Sequence, residues 1–412
     1  MKHKRAVVVL ICAFAVCLLV GAGQPAQVAV AQVPGWKVVP APDPSIYGSR
    51  LYDVEAISAS NVWAVGFALS WYGKKSLIEH WDGISWKVFP SPNPGTPRDN
   101  YCGYEYENVL IAADALTARH IWAVGYYHKC YGFSRTLIMR WDGTSWRVIP
   151  SPSLAEPANC VLTAVEAVNG TDAWATGYAY GDVETWTEYP PPLIEHWDGR
   201  SWTFVASPTQ ASGGGIADLA AVAADDVWAV GTCPKCRYGI LMEHWDGTSW
   251  KIVPSAPLPR GSQGTLGDMV AFSRNDIWAV GYYIHYPEGV ETLVEHWDGL
   301  RWRVVPSPNI STEYDAANRL REITAISPND MWAVGMFSNQ KTDIFQPRTL
   351  TAHWDGKSWS IVPSPSPGKA AELFSVTSLP SGELWGVGIY DDDPINTYDG
   401  TYNSPKPLVL SR

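Results

Sequence analysis

LIEHWDGISWKVFPSPNPG, residues 77–95, recurs with small changes six times along the chain. WDG begins at Trp81, Trp141, Trp197, Trp245, Trp297 and Trp354. A further tryptophan follows each, at Trp86, Trp146, Trp202, Trp250, Trp302 and Trp359. A second string, WAVG, begins at Trp63, Trp122, Trp228, Trp278 and Trp332, with WATG at Trp174 and WGVG at Trp385. The seven copies lie 50 to 59 residues apart. A period of this length is the mark of a repeat architecture.

Each unit reads as four short β segments. The first is typified by LYDVEAIS, residues 51–58, and a short polar connection leads to the second, VWAVG. A variable stretch precedes the third, LIEHW. Asp-Gly then suits a tight turn, because Gly tolerates positive φ and Asp bonds its own turn backbone. The fourth segment, SWKVFP, is closed by a proline that cannot donate to a ladder. Gly and Pro interrupt every stretch that could carry a 3.6-residue apolar period, which argues against helices. Four strands per repeat of about fifty residues predict propeller blades.

The chain ends complete the argument. The seventh unit stops at LVLSR without a fourth segment, while QVPGWKVVPAPDP near the N-terminus is a fourth segment with nothing before it. Trp36 is therefore expected to finish the last blade and clasp the ring. The expected fold is an all-β, seven-bladed β-propeller with four antiparallel strands per blade. Blades are expected at residues 51–90, 109–150, 161–206, 216–254, 265–306, 320–363 and 373–412, with 35–40 as strand four of the last. Closure removes the sheet edges that invite aggregation.

Residues 1–31 read as a signal peptide: Lys2, Lys4 and Arg5, an apolar run from Ala6 to Val20, then Ala29-Val30-Ala31 as a cleavage site. The protein is thus expected to be secreted or on the cell surface, with no integral membrane span after cleavage. Loss of the leader takes the formal charge from −11 to about −14, which argues against nucleic acid as a partner. Export permits disulfides. Cys102–Cys130 and Cys130–Cys160 are competing pairings, and Cys233–Cys236 forms a local loop pair.

His80, His196, His244, His296 and His353 precede the WDG strings, and Asp82, Asp142, Asp198, Asp246, Asp298 and Asp355 follow each Trp. The ring's rotation separates equivalent positions, so they form neither one metal site nor one carboxylate pair. A packing His and a turn-capping Asp are expected instead. The tryptophans, Trp36 included, are expected to wedge between blades.

The repeat resembles a broad group of secreted or surface bacterial β-propeller proteins, whose units carry a DVWAVG segment and an HWDG or HWNG turn followed by SW. Here the match includes DDVWAVG at 225–231 and HWDGTSW at 244–250. The DGxSW string also faintly resembles the Asp-box of sialidase-like propellers, although its leading Ser is absent. Both resemblances imply a propeller and export, and neither implies a reaction.

In a propeller, the links between strands two and three and between strand four and the next strand one open on one face. Those links are long and irregular in this chain, so that face is expected to carry function. Its aromatic candidates for ligand contact are Tyr101, Tyr104 and Tyr106 in one link, Tyr127 and His128, and Tyr180, Trp186 and Tyr189 in another. Tyr283, Tyr286, Tyr398 and Tyr402 complete the set. Asp391, Asp393 and Asp399 are candidates for Ca²⁺, without the spacing of a Ca²⁺ loop; no other cofactor is expected. No catalytic motif is present: G-x-S-x-G and H-E-x-x-H are both missing. The expectation is a noncatalytic binding propeller for extracellular glycan or protein. The alternatives are a glycan-active hydrolase or lyase using loop carboxylates near the central channel, or a structural cell-surface or matrix component.

Overall fold

The computed structural model describes residues 35–95, 106–128, 132–152, 159–180, 191–209, 213–285, 289–311, 316–339, 346–392 and 404–412. The expected leader, 1–31, lies outside them. So do Tyr101, Cys102, Tyr104, Cys130, Trp186, Tyr189, Tyr286, Asp393, Tyr398, Asp399 and Tyr402.

Every blade has the same plan. In blade 1, Ser49–Ser58, Asn61–Ser70, Gly73–Trp81 and Trp86–Phe89 form one antiparallel meander. Strand one starts slightly earlier than the sequence suggested, at Ser49 in blade 1, Glu107 in blade 2 and Ala370 in blade 7. Blades 5 and 6 touch through one parallel pair, Val290 and Ala317, while each keeps its own four antiparallel strands. The last blade consists of Ala370–Ser378, Leu384–Asp391 and Lys406–Ser411, with Lys37–Val38 paired onto the outermost of these (Lys37 opposite Ser411, Val38 opposite Leu410). Head and tail therefore share one sheet, as the orphan segment around Trp36 required.

The glycine of WAVG has a steric cause. Strand one of every blade carries a bulge, between Leu51 and Asp53 in blade 1, that drives a carbonyl toward strand two. A Cβ on Gly66 would sit 1.9 Å from the Arg50 oxygen, so only glycine fits. At the other hairpin, Gly83 adopts φ +92° and closes the Asp-Gly turn.

The core lies between blades. Trp63 of blade 1 meets Trp141 and Trp146 of blade 2, with ring centroids 5.0 and 5.7 Å apart. Trp174 meets Trp245 and Trp250, Trp228 meets Trp297 and Trp302, and Trp278 meets Trp354 in the same way. Trp36 closes the series against Trp332 at 5.9 Å, and Trp385 packs on Trp81 and Trp86.

Candidate functional site

The repeated polar residues are used internally. The His80 ring stacks 4.2 Å from Trp63 and bonds Asn61 at 2.9 Å. His196, His244, His296 and His353 bond Asp172, Asp226, Asp276 and Asp330 at 2.6–2.8 Å. In blade 2 the Arg140 guanidinium takes this place over Trp122, 5.2 Å from the ring. Asp82 caps its turn by accepting the Ile84 and Ser85 N–H groups at 3.0 Å, and Lys87 bonds its other oxygen. Asp142, Asp198, Asp246, Asp298 and Asp355 cap their turns alike.

A second polar system lines the axis, and sequence reasoning missed it. Strand one of six blades supplies a carboxyl that accepts a backbone N–H of the next blade. Asp53 takes Ala113 N–H at 2.6 Å, Asp114 takes Ala167 at 2.6 Å and Glu166 takes Ala221 at 3.4 Å. Asp218 takes Met269 at 3.1 Å, Asp268 takes Ile323 at 2.6 Å and Glu322 takes Val376 at 3.2 Å. Blade 7 closes the circuit with hydroxyls: Ser375 accepts Val54 N–H at 3.1 Å and Thr377 accepts Ala56 N–H at 3.4 Å. The ring is thus held by seven cross-blade clasps, one at each joint.

Glu55 also faces this axis and accepts no hydrogen bond among the described residues. Burial, reinforced by neighbouring carboxylates, raises Glu55, Asp218 and Glu322 well above the ordinary carboxyl range. Glu166 rises as far for the same reasons, against the Ala221 N–H bond that lowers it. Burial brings Asp114 and Asp268 to about 6. Asp218 and Asp268 act on each other, which pushes Asp218 up further.

These strands enclose a cavity of about 510 Å³. Strand one begins at the long-loop face, so its bulge residues form the mouth there: Tyr52, Ile111, Thr163, Ala217, Gly267, Arg321 and Phe374. Tyr52 lies 5.4 Å from Phe374, and the Arg321 guanidinium lies 5.0 Å over Phe374 while pairing with Glu372 at 2.7 Å.

On the same face the hairpin tip between strands two and three of blade 1 carries Trp71 and Tyr72, which are 59 % and 46 % exposed. Tyr47, in the link entering that blade, lies 6.0 Å from Trp71, and Ile46 beside it is exposed. Trp71 is the only exposed tryptophan among the described residues. The sequence held a signal for it: only Trp71 and Trp186 stand outside the repeat.

The described candidates divide. Tyr106 is buried, with its hydroxyl 3.3 Å from Ser70. Tyr127 packs on the blade 1–2 core, and His128 lies 3.6 Å from Glu107. Tyr283 donates to Glu291 at 2.7 Å. Tyr180 is exposed, 6.0 Å from Tyr178. Asp391 turns inward and accepts Ser404 N–H at 3.3 Å. Cys233 and Cys236 form a disulfide, and Cys160 is buried in the blade 2–3 core.

No protein-family model matches the sequence, and no curated protein matches it. Among solved structures, YCF48 bound to a D1 peptide is similar at TM-score 0.51 and 12 % identity, over 92 % of this chain and 99 % of that one. The extracellular domain of a hybrid two-component system from B. thetaiotaomicron is similar at TM-score 0.50 and 9 % identity, over 92 % of this chain and 39 % of that one. A six-bladed fucose-recognising lectin from Aleuria aurantia gives TM-score 0.45 and 16 % identity, over 79 % of this chain and 99 % of that one. The fold is a β-propeller, and at these identities the likeness concerns the fold alone.

Proposed function

We propose that the chain is an exported, noncatalytic binding propeller that recognises an extracellular glycan or protein through its long-loop face. The observation that carries this reading is Trp71. The chain packs its repeat tryptophans between blades, yet leaves this one exposed beside Tyr47 and Tyr72 on the face with the longest links. Exposed clustered aromatics of this kind mark interaction surfaces. Six of the axial carboxyls are engaged as clasps to the next blade's backbone. Export rests on the leader-like residues 1–31 and on the resemblance to secreted repeat proteins.

The test is retention of the mature chain on a glycan array and on immobilised extracellular proteins, compared with Trp71→Ala. Saturable retention that the variant loses without losing thermal stability supports the reading. Retention of neither protein refutes it, and equal retention by both refutes the assignment of the contact to Trp71.

A further inference from the structure

We propose that the long-loop mouth of the central cavity binds a single pyranose unit of a glycan, stacked on Tyr52 and Phe374, with its hydroxyls donating to Glu55 and to the Asp218 and Asp268 carboxyls. This rests on the binding reading above and narrows it to carbohydrate.

The mouth is uneven although the blades are alike. The bulge position holds Tyr52, Arg321 and Phe374 on one side, and Thr163, Ala217 and Gly267 on the other. Gly267 brings no side chain to the wall, and the next blade's backbone approaches it closely: a Cβ there would sit 2.8 Å from the Arg321 carbonyl oxygen. One wall is therefore aromatic and the opposite wall is cut back. The enclosed space, about 510 Å³, suits a small molecule and excludes a folded partner.

The chemistry of the lining selects among small molecules. Glu55 has no hydrogen bond among the described residues, and Asp218 and Asp268 spend one oxygen each on the next blade's backbone. The floor thus offers buried carboxyl groups that both donate and accept, which matches the hydroxyls of a sugar. The apolar face of a pyranose ring matches Tyr52 and Phe374. A carboxylate or phosphate ligand would find no free cation on that floor among the described residues, since Arg321 at the mouth already pairs with Glu372 at 2.7 Å.

Saturation-transfer NMR on the mature chain, with the methyl glycosides of glucose, galactose, mannose and N-acetylglucosamine as probes and spermidine as a cationic control, decides the matter. At least one glycoside should show transfer, weakened about tenfold by Phe374→Ala and abolished by Ala217→Trp, which fills the cut-back wall. Trp71→Ala should leave it unchanged. Thermal melts check that each variant folds, and Phe374→Ala carries the test if Ala217→Trp does not. Three results overturn the proposal: no glycoside binds the parent chain, spermidine binds and the glycosides do not, or binding survives the cavity variants. In the last case, loss in Trp71→Ala alone would keep the glycan reading and move the site to the exposed platform.

Discussion

Glu79 should destabilise the protein at neutral pH, and replacing it with methionine should relieve the cost. Its side chain, on strand three of blade 1, is fully buried and neither carboxyl oxygen has a partner. Equivalent acids are better served: Glu195 accepts Ser151 Oγ at 2.8 Å, and Glu243 accepts Ser207 Oγ at 2.8 Å. Both serines belong to the Ser-Pro step after strand four, and the corresponding residue before blade 1 is Ala41. Burial, with a smaller contribution from Asp43, pushes Glu79 up to about 8. The unfolded chain ionises near 4.5, so the folded state holds an extra proton through the interval between. Stability is therefore lost as pH rises. At about 1.4 kcal/mol per pH unit, the loss from this one group reaches about 3 kcal/mol at pH 7 and stays below about 1 kcal/mol at pH 5. Blade 2 has Met139 at this position, fully buried, so the site tolerates that shape. Glu79→Met should gain about 3 kcal/mol at pH 7 in denaturant titration, and the gain should shrink by about 2 kcal/mol at pH 5. Ala41→Ser should recover about 1 kcal/mol by supplying the missing donor, and only while Glu79 is present. A gain that ignores pH, or an Ala41→Ser effect that persists in the methionine background, would refute the reasoning.

The axial carboxyls extend the same sign to the ring. Asp114 and Asp268 lie near 6 against an ordinary 3.8, so thermal stability should fall between about pH 4 and pH 7 and recover in Asp268→Asn. The turn aspartates act oppositely: Asp142 is held near 2 by hydrogen bonds from Thr144 and its turn backbone, and Asp298 by Arg303 and then its turn backbone, so their contribution is lost only as pH drops below about 4. A melting profile that rises from pH 5 to pH 7 would contradict the first of these effects. Trp36→Ala should cost about 3–5 kcal/mol in chemical denaturation, because it empties a buried site and loosens the shared blade. Breaking the Cys233–Cys236 bridge by double serine substitution should cost about 2 kcal/mol, as its closed loop is short, and should leave the far-UV spectrum unchanged.

The architecture was legible because it is written seven times. A single VWAVG or WDG could belong to many folds. Seven copies in phase, with Trp36 supplying the piece missing at the C-terminus, leave a closed ring as the economical solution. The clasps were not legible, because the acid occurs at two different positions. Asp53, Asp218, Asp268 and Glu322 directly follow the bulge, while Asp114 and Glu166 lie two residues further along. Without the bulge in view, these acids look scattered. The long links were legible as lying on one face, but what each residue on them does was not. Whether a tyrosine is exposed like Tyr180 or spent like Tyr106 depends on which strand lies across from it.

A ring of copied blades confronts any ligand with a difficulty, because equivalent residues point away from one another around the axis. A site arises only where copies depart from the pattern or converge on the centre. The Trp–His–Asp sets do neither: each is repeated, packed and paired within its own joint. Both candidate surfaces arise from departures. Blade 1 has a tight Trp71-Tyr72 tip where other blades have longer connections. At the axial mouth the bulge position varies from blade to blade, from Phe374 to Gly267. The clasps make that variation affordable. With every joint tied by hydrogen bonds one to four residues deeper, the mouth can lose side chains on one wall and gain rings on the other without opening the ring. Function in this chain is therefore expected where its repetition lapses above the clasps.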